Sequence, residues 1–209
     1  MKEITFDTVY NALKAKEYEV FETDLKPYNL NIIGIRNNNR TPNSFDDYIV
    51  VMWKYKGQWN FNKYVATTDP GLYYLNHPLS LQGTAILKEG QYFHSHCLGF
   101  HQGKYKALVQ FMPLIVIRDF NKDNYLDFTT GKEETGIFGI NIHRANLSGK
   151  TVNVNNWSAG CQVFANSCQF KEFISLCEKA EKYWGKTFSY TLINLSDIEL
   201  EKETTFLFQ

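Results

Sequence analysis

A chain of 209 residues is long enough to bury a full hydrophobic core without disulfide or metal staples, and it reads as one domain of ordinary size. With 22 basic against 22 acidic side chains the net charge is zero, and no long run carries one sign, which argues against nucleic acid or anionic lipid as a partner. Aromatic residues make up 16% of the chain, mostly Tyr and Phe, a composition that favours strands over a helical bundle.

In chain order, residues 4–17 place Phe6, Val9, Tyr10 and Leu13 at helical spacing, with Tyr18 just beyond, and predict one amphipathic helix. The start of the chain has no basic n-region followed by an apolar h-region, and no stretch reaches the ~20 apolar residues of a membrane span. The expectation is a soluble protein made in the cytoplasm. "LNIIGIR" (30–36) and "DYIVVMWKY" (47–55) read as strands, separated by a loop, "NNNRTPNS". Further short strand-like runs follow as far as "LIVIRDF", with turn signals too frequent for long helices. Ser167 to Trp184 is the second helix, with Phe170, Phe173, Ile174, Cys177, Ala180 and Trp184 on one face, Asn166 as N-cap and Gln169 in a capping-box position. "TFSYTLINL" (187–195) returns to strand alternation. The expected fold is therefore mostly β (α+β), with residues 1–28 as an N-terminal helical extension and 29–209 as the main domain.

The informative stretch is "GINIHRANLSGKTVNVNNWSAGCQVF" (139–164). By the two-residue period of a strand, Phe138, Ile140 and Ile142 share one face while Gly139, Asn141 and His143 share the other, so His143 can enter a site. The polar loop that follows is long enough to bring Cys161 back beside it. A cysteine needs a neighbouring imidazole or aimed amides to become nucleophilic near neutral pH, and the small residues of "SAGC" leave the amides of Ala159, Gly160 and Cys161 open to an oxyanion. A thiol so activated is expected to react with iodoacetamide well below pH ~8 and ahead of Cys168 and Cys177. The four cysteines, with Cys97, lack the spacing of a disulfide scaffold and read as free thiols. Trp157 reads as a wall of the site.

His143, seventeen intervening residues and Cys161, with Ser158 and Gly160 before the cysteine, resemble the histidine and [Ser/Thr]-His-Gly-Cys signature of L,D-transpeptidase (YkuD-like) catalytic domains. "ATTDPGLYYL" (66–75) is similar to that family's strand and turn, through Thr68, Pro70, Gly71 and Tyr73. The sequence departs from the signature at Ala159, where the family has a second histidine, and at Gln162, where Arg or Asn is usual. The resemblance implies a β-sandwich or barrel with one packed helix, Cys161 as nucleophile, His143 as base oriented by a backbone carbonyl near Arg144, and no cofactor. It implies attack on a peptidoglycan stem peptide through a thioester, resolved by an amine or by water. Asn141, Arg144, Ser158, Trp157 and Gln162 are then supporting or substrate-binding residues, and His101 in "GFHQG" is the candidate to replace the missing imidazole. A monomer is expected, acting on the cell wall after release or as part of a phage particle. The alternative is a wall-binding or virion structural module on the same scaffold that has lost turnover, which Ala159 favours.

Two other constellations carry weaker chemistry. His94, His96, Cys97 and His101 lack a carboxylate or a second cysteine at zinc spacing, and no metal is expected there. Asp119, Asn121, Asp123 and Asp127 follow the first positions of a calcium loop, but Asn124 and Thr130 replace its glycine and its terminal glutamate, so a strand-connecting turn is expected.

Overall fold

A computed structural model describes residues 3–37 and 39–199. The first and last ends of the expected division into 1–28 and 29–209 therefore lie outside the described residues. The elements run α1 (Phe6–Ala15), β1 (Asn31–Arg36), β2 (Asp47–Tyr55), β3 (Gln58–Thr67), α2 (Leu72–Asn76), β4 (Thr84–Leu87), β5 (Gly90–His101) and β6 (Tyr105–Gln110). They continue with β7 (Leu114–Asp119), β8 (Glu133–Gly136), β9 (Ile142–Arg144), β10 (Gln162–Phe164), α3 (Ser167–Trp184), β11 (Thr187–Asn194) and α4 (Leu195–Glu199).

Eight strands close into a barrel in the order β1-β11-β5-β6-β9-β10-β3-β2, and β4-β7-β8 form a separate sheet. Most neighbours are antiparallel, but β1 with β11 and β9 with β10 are parallel. The parallel pairs need long connections, and the one between β9 and β10 carries the polar loop 145–161.

Strand alternation explains the two larger of three hydrophobic clusters among the described residues, the smallest being Leu75, Ile86 and Leu126. Ile32 on β1, Ile49, Val51 and Trp53 on β2, and Tyr190 and Leu192 on β11 join the larger cluster, which also holds Phe170, Phe173, Ile174, Cys177 and Ala180 of α3. Their neighbours Ile33, Ile35, Val50, Met52 and Ile193 point to the other side, where Val9, Ala12 and Leu13 of α1 and Ile198 of α4 cover them. This two-sided cover is why β1 is buried at every position and does not read as alternating.

Thr5 caps α1 in a reciprocal box with Thr8, and the helix is shorter than its apolar stripe, ending before Tyr18. Asn166 accepts from the amides of Cys168 and Gln169 at the start of α3. The reciprocal half of that box is missing, since Gln169 Oε1 is buried without a partner. Trp184, expected on the buried face of α3, instead lies at the surface and donates Nε1 to Pro27 O at 2.8 Å. No helix among the described residues is long and apolar enough to cross a membrane.

Candidate active site

The register of β9 and β10 places the sulfur and the imidazole. Gln162 pairs with Ile142 and Val163 with His143, while Gln162 N–H donates to Asn141 O at 2.9 Å one step earlier. Ile142 and Phe164 face the larger core, so the alternate residues Cys161 and His143 leave the barrel interior on one shared face. A strand spacing of ~4.8 Å and a two-residue rise of ~6.6 Å set their backbones about 8 Å apart on the diagonal, within mutual reach of the two side chains. Both line one cleft of ≈ 440 Å³, together with His101, Asn141, Trp157 and Ala159.

Asn141 organises the rest. Its amide donates to Cys161 Sγ at 3.4 Å, and the thiol donates to Gly139 O at 3.4 Å. Its side-chain Oδ1 accepts from Gln110 N–H at 2.9 Å, which turns Nδ2 toward His101 Nδ1 at 3.1 Å. An imidazole that accepts at Nδ1 carries its proton on Nε2. His143 has the opposite arrangement: its Nδ1–H donates to Arg144 O at 2.8 Å, leaving Nε2 as the basic nitrogen. The two rings stack at 4.0 Å between centroids with an 18° tilt. The cleft thus holds one imidazole ready to take a proton beside one ready to donate a hydrogen bond.

The continuous strand expected through "FGINIH" is broken. Gly139 takes a φ of 74°, and Gln110 Oε1 accepts the amides of both Phe138 and Ile140 at 2.9 and 3.0 Å in place of a ladder partner. His96, fully buried, uses Nε2 against Ile140 O at 3.0 Å and Nδ1 against Ser95 Oγ at 2.9 Å. Tyr105 hydroxyl donates to Arg144 O at 3.2 Å. Gln110, His96 and Tyr105 therefore hold the histidine strand in place, and no periodicity or motif in the sequence marked the first or third of them.

The nucleophile loop is tied from behind. Ser158 Oγ donates to Cys161 O at 2.8 Å and accepts from Gly160 N–H at 3.1 Å. The Gly160 amide is thereby spent, and the three-amide pocket expected from "SAGC" reduces to Ala159 and Cys161. Gly160 adopts a φ of +124°, and a Cβ there would lie 2.3 Å from Ala85 O, so the loop crosses β4 only because this residue is glycine. Ser158 O accepts from Gly71 N–H at 2.9 Å, joining the loop to the Thr68–Pro70–Gly71 turn. Gln162 is fully buried: it donates to Thr68 O at 3.3 Å and accepts from Tyr190 hydroxyl at 2.7 Å, so it braces the loop and does not face the cleft.

Burial drives the His143 imidazole down to about 3, helped by neighbouring His101 and opposed by its bond to Arg144 O. Burial pushes the Cys161 thiol up to about 11 against the pull of the Asn141 amide. Both shifts favour the uncharged forms, a neutral thiol beside a neutral imidazole. This differs from the thiolate expected from sequence, because desolvation outweighs the single amide aimed at the sulfur.

The other motifs disperse. His94 Nδ1 bonds Thr187 Oγ1 at 3.1 Å, His96 is committed to Ile140 O, and His101 joins the cleft, so the histidines of "YFHSHCLGFH" face three environments. Among the described residues no three His, Cys, Asp or Glu side chains are grouped to hold a metal ion. The 119–127 turn is laced by Asn121 Oδ1 accepting from Asp123 N–H and Asp123 Oδ1 from Tyr125 N–H.

Compared with family models, curated proteins and solved structures, the chain matches none. The fold and site define a closed β-barrel carrying a cysteine and a histidine in one cleft.

Proposed function

We propose that the chain is a cysteine-dependent acyl transferase or hydrolase acting on peptidoglycan stem peptides, of the L,D-transpeptidase kind that its His143–Cys161 spacing and SxGC loop resemble. The observation that carries the reading is the parallel register that sets Cys161 and His143 on one face of neighbouring strands, with His143 Nδ1 already committed to Arg144 O. Because the thiol rests neutral, His143 Nε2 takes its proton as the sulfur attacks, acting as general base in the same step. The sulfur–carbon bond forms, the carbonyl oxygen becomes an oxyanion, and the amides of Ala159 and Cys161 with His101 Nε2–H offer donors to it. Collapse expels the amine, which leaves with the proton from His143; an amine or water then attacks the thioester, His143 Nε2 takes its proton, and that proton passes to the departing sulfur to restore the thiol.

Incubation with defined muropeptides, followed by mass spectrometry, tests the reading. Cross-linked or trimmed products should form, and Cys161→Ala and His143→Ala should abolish or reduce them at least a hundredfold without lowering the melting temperature by more than a few degrees. Ala159, which stands where the resembled signature has a second histidine, favours a second reading, a wall-binding module without turnover. Retention of the protein on muropeptides with no product would establish that one instead.

A further inference from the structure

A second lobe of ≈ 500 Å³ shares His101, His143 and Trp157 with the first and is lined in addition by Lys104, Arg144 and Asn146. We propose that this lobe is a subsite for a carboxylate group carried by the substrate, with Arg144 as its anchor and Lys104 as a second positive charge. The proposal rests on the acyl-transfer reading of Cys161 and His143 and adds to it the charge of the substrate.

The Arg144 side chain carries the argument. Its guanidinium carbon lies 4.0 Å from the Tyr105 ring centroid, so stacking holds it in place. Among the described residues it has no ion pair, and no hydrogen bond from its guanidinium is formed. A planar five-donor fork that is ordered by an aromatic face and left without an acceptor is suited to a bidentate carboxylate.

The surroundings point the same way. Although the chain carries as many acidic as basic side chains, no aspartate or glutamate lines either lobe among the described residues. The lobes hold Lys104, Arg118 and Arg144, and Arg118 is already taken by Glu134 at 2.7 Å. Uncompensated positive charge therefore stays with Lys104 and Arg144, and after burial these two charges also oppose protonation of His101. A low-dielectric cleft lined by one sign of charge concentrates ligands of the other sign. The backbone oxygen of Arg144 holds His143, so the residue that would anchor the carboxylate also fixes the base.

Two esters of similar length test this: p-nitrophenyl hydrogen glutarate, which ends in a carboxylate, and neutral p-nitrophenyl valerate. Wild-type protein should acylate Cys161 about tenfold or more faster with the anionic ester, as expected for one charge-assisted hydrogen-bonded pair. Arg144→Gln should lose that preference, Arg144→Lys should keep part of it, and Lys104→Gln should weaken it less. Free glutarate, measured separately, should protect Cys161 from iodoacetamide in the wild type and fail to do so in Arg144→Gln, with peptide mass mapping to follow Cys161 alone. Equal rates with both esters, or a preference or protection that survives Arg144→Gln, would overturn the subsite. Absence of acylation by either ester, with glutarate protection intact and dependent on Arg144, would instead overturn the acyl-transfer reading and leave the anion site standing.

Discussion

The resting charge state of the cysteine–histidine pair makes a quantitative prediction. A thiol pushed up to about 11 stands about 2.5 units above an ordinary cysteine near ~8.5, so at pH ~7.5 it holds roughly 300-fold less thiolate. A more basic thiolate is also a better nucleophile, and a Brønsted slope of ~0.4–0.5 returns about ten- to twentyfold. Iodoacetamide should therefore modify Cys161 about twentyfold more slowly than it modifies glutathione at pH ~7.5, and the rate should climb about tenfold per pH unit up to pH ~10. Acylation by an ester should behave differently, because His143 can take the proton as the bond forms. With His143 pushed down to about 3, that reaction should show no acid limb near the ordinary histidine value of ~6.5. His143→Ala should then lower acylation about a hundredfold or more while leaving alkylation within a few-fold, since no imidazolium holds a thiolate. Stopped assays with peptide mass mapping report both rates at Cys161. Alkylation at neutral pH faster than glutathione, lost in His143→Ala, would show a preformed thiolate–imidazolium pair and refute the reasoning.

The remaining predictions concern the frame of the site. Gly160→Ala adds a Cβ 2.3 Å from Ala85 O at a φ of +124°, and thermal melting should show a loss of about 2 kcal/mol or more together with loss of acylation. Gln110→Leu removes the shared acceptor of the Phe138 and Ile140 amides, so stability should fall by about 2 kcal/mol in urea titration and acylation should fall with it, while the secondary structure seen by circular dichroism stays unchanged. His96, buried and pushed down to about 4, is stabilising in its neutral form; because its folded value lies below the ordinary ~6.5, that contribution is complete above pH ~6.5 and is lost as the pH falls through 4. The stability advantage of wild type over His96→Gln should therefore shrink by up to about 3 kcal/mol between pH ~7 and ~4, and an advantage independent of pH would show that His96 is not held neutral.

Local sequence pattern determined the helix at the start of the chain, the long helix from Ser167 to Trp184, and the strand-rich character of what lies between, because helical and strand periods and cap chemistry are properties of neighbouring residues. It also marked His143 and Cys161 as candidates, since their residue types and the small residues before the cysteine are read directly. The short α2 helix, which the "DPG" turn leads into, and the closure of eight strands were not readable, because they depend on which distant surfaces meet. The parallel pairing of β9 with β10 belongs to the same class: nothing in either three-residue strand specifies the partner, yet that register decides whether sulfur and imidazole share a face. Tertiary structure likewise decided that Ser158 would take the Gly160 amide, that Gln162 would brace the loop from inside, and that Asn141 would fix the tautomer of His101. The charge state of the pair was the least accessible of all from sequence. A pKa sums desolvation and every nearby dipole in three dimensions, and only the packed barrel determines how much water remains around Cys161 and His143.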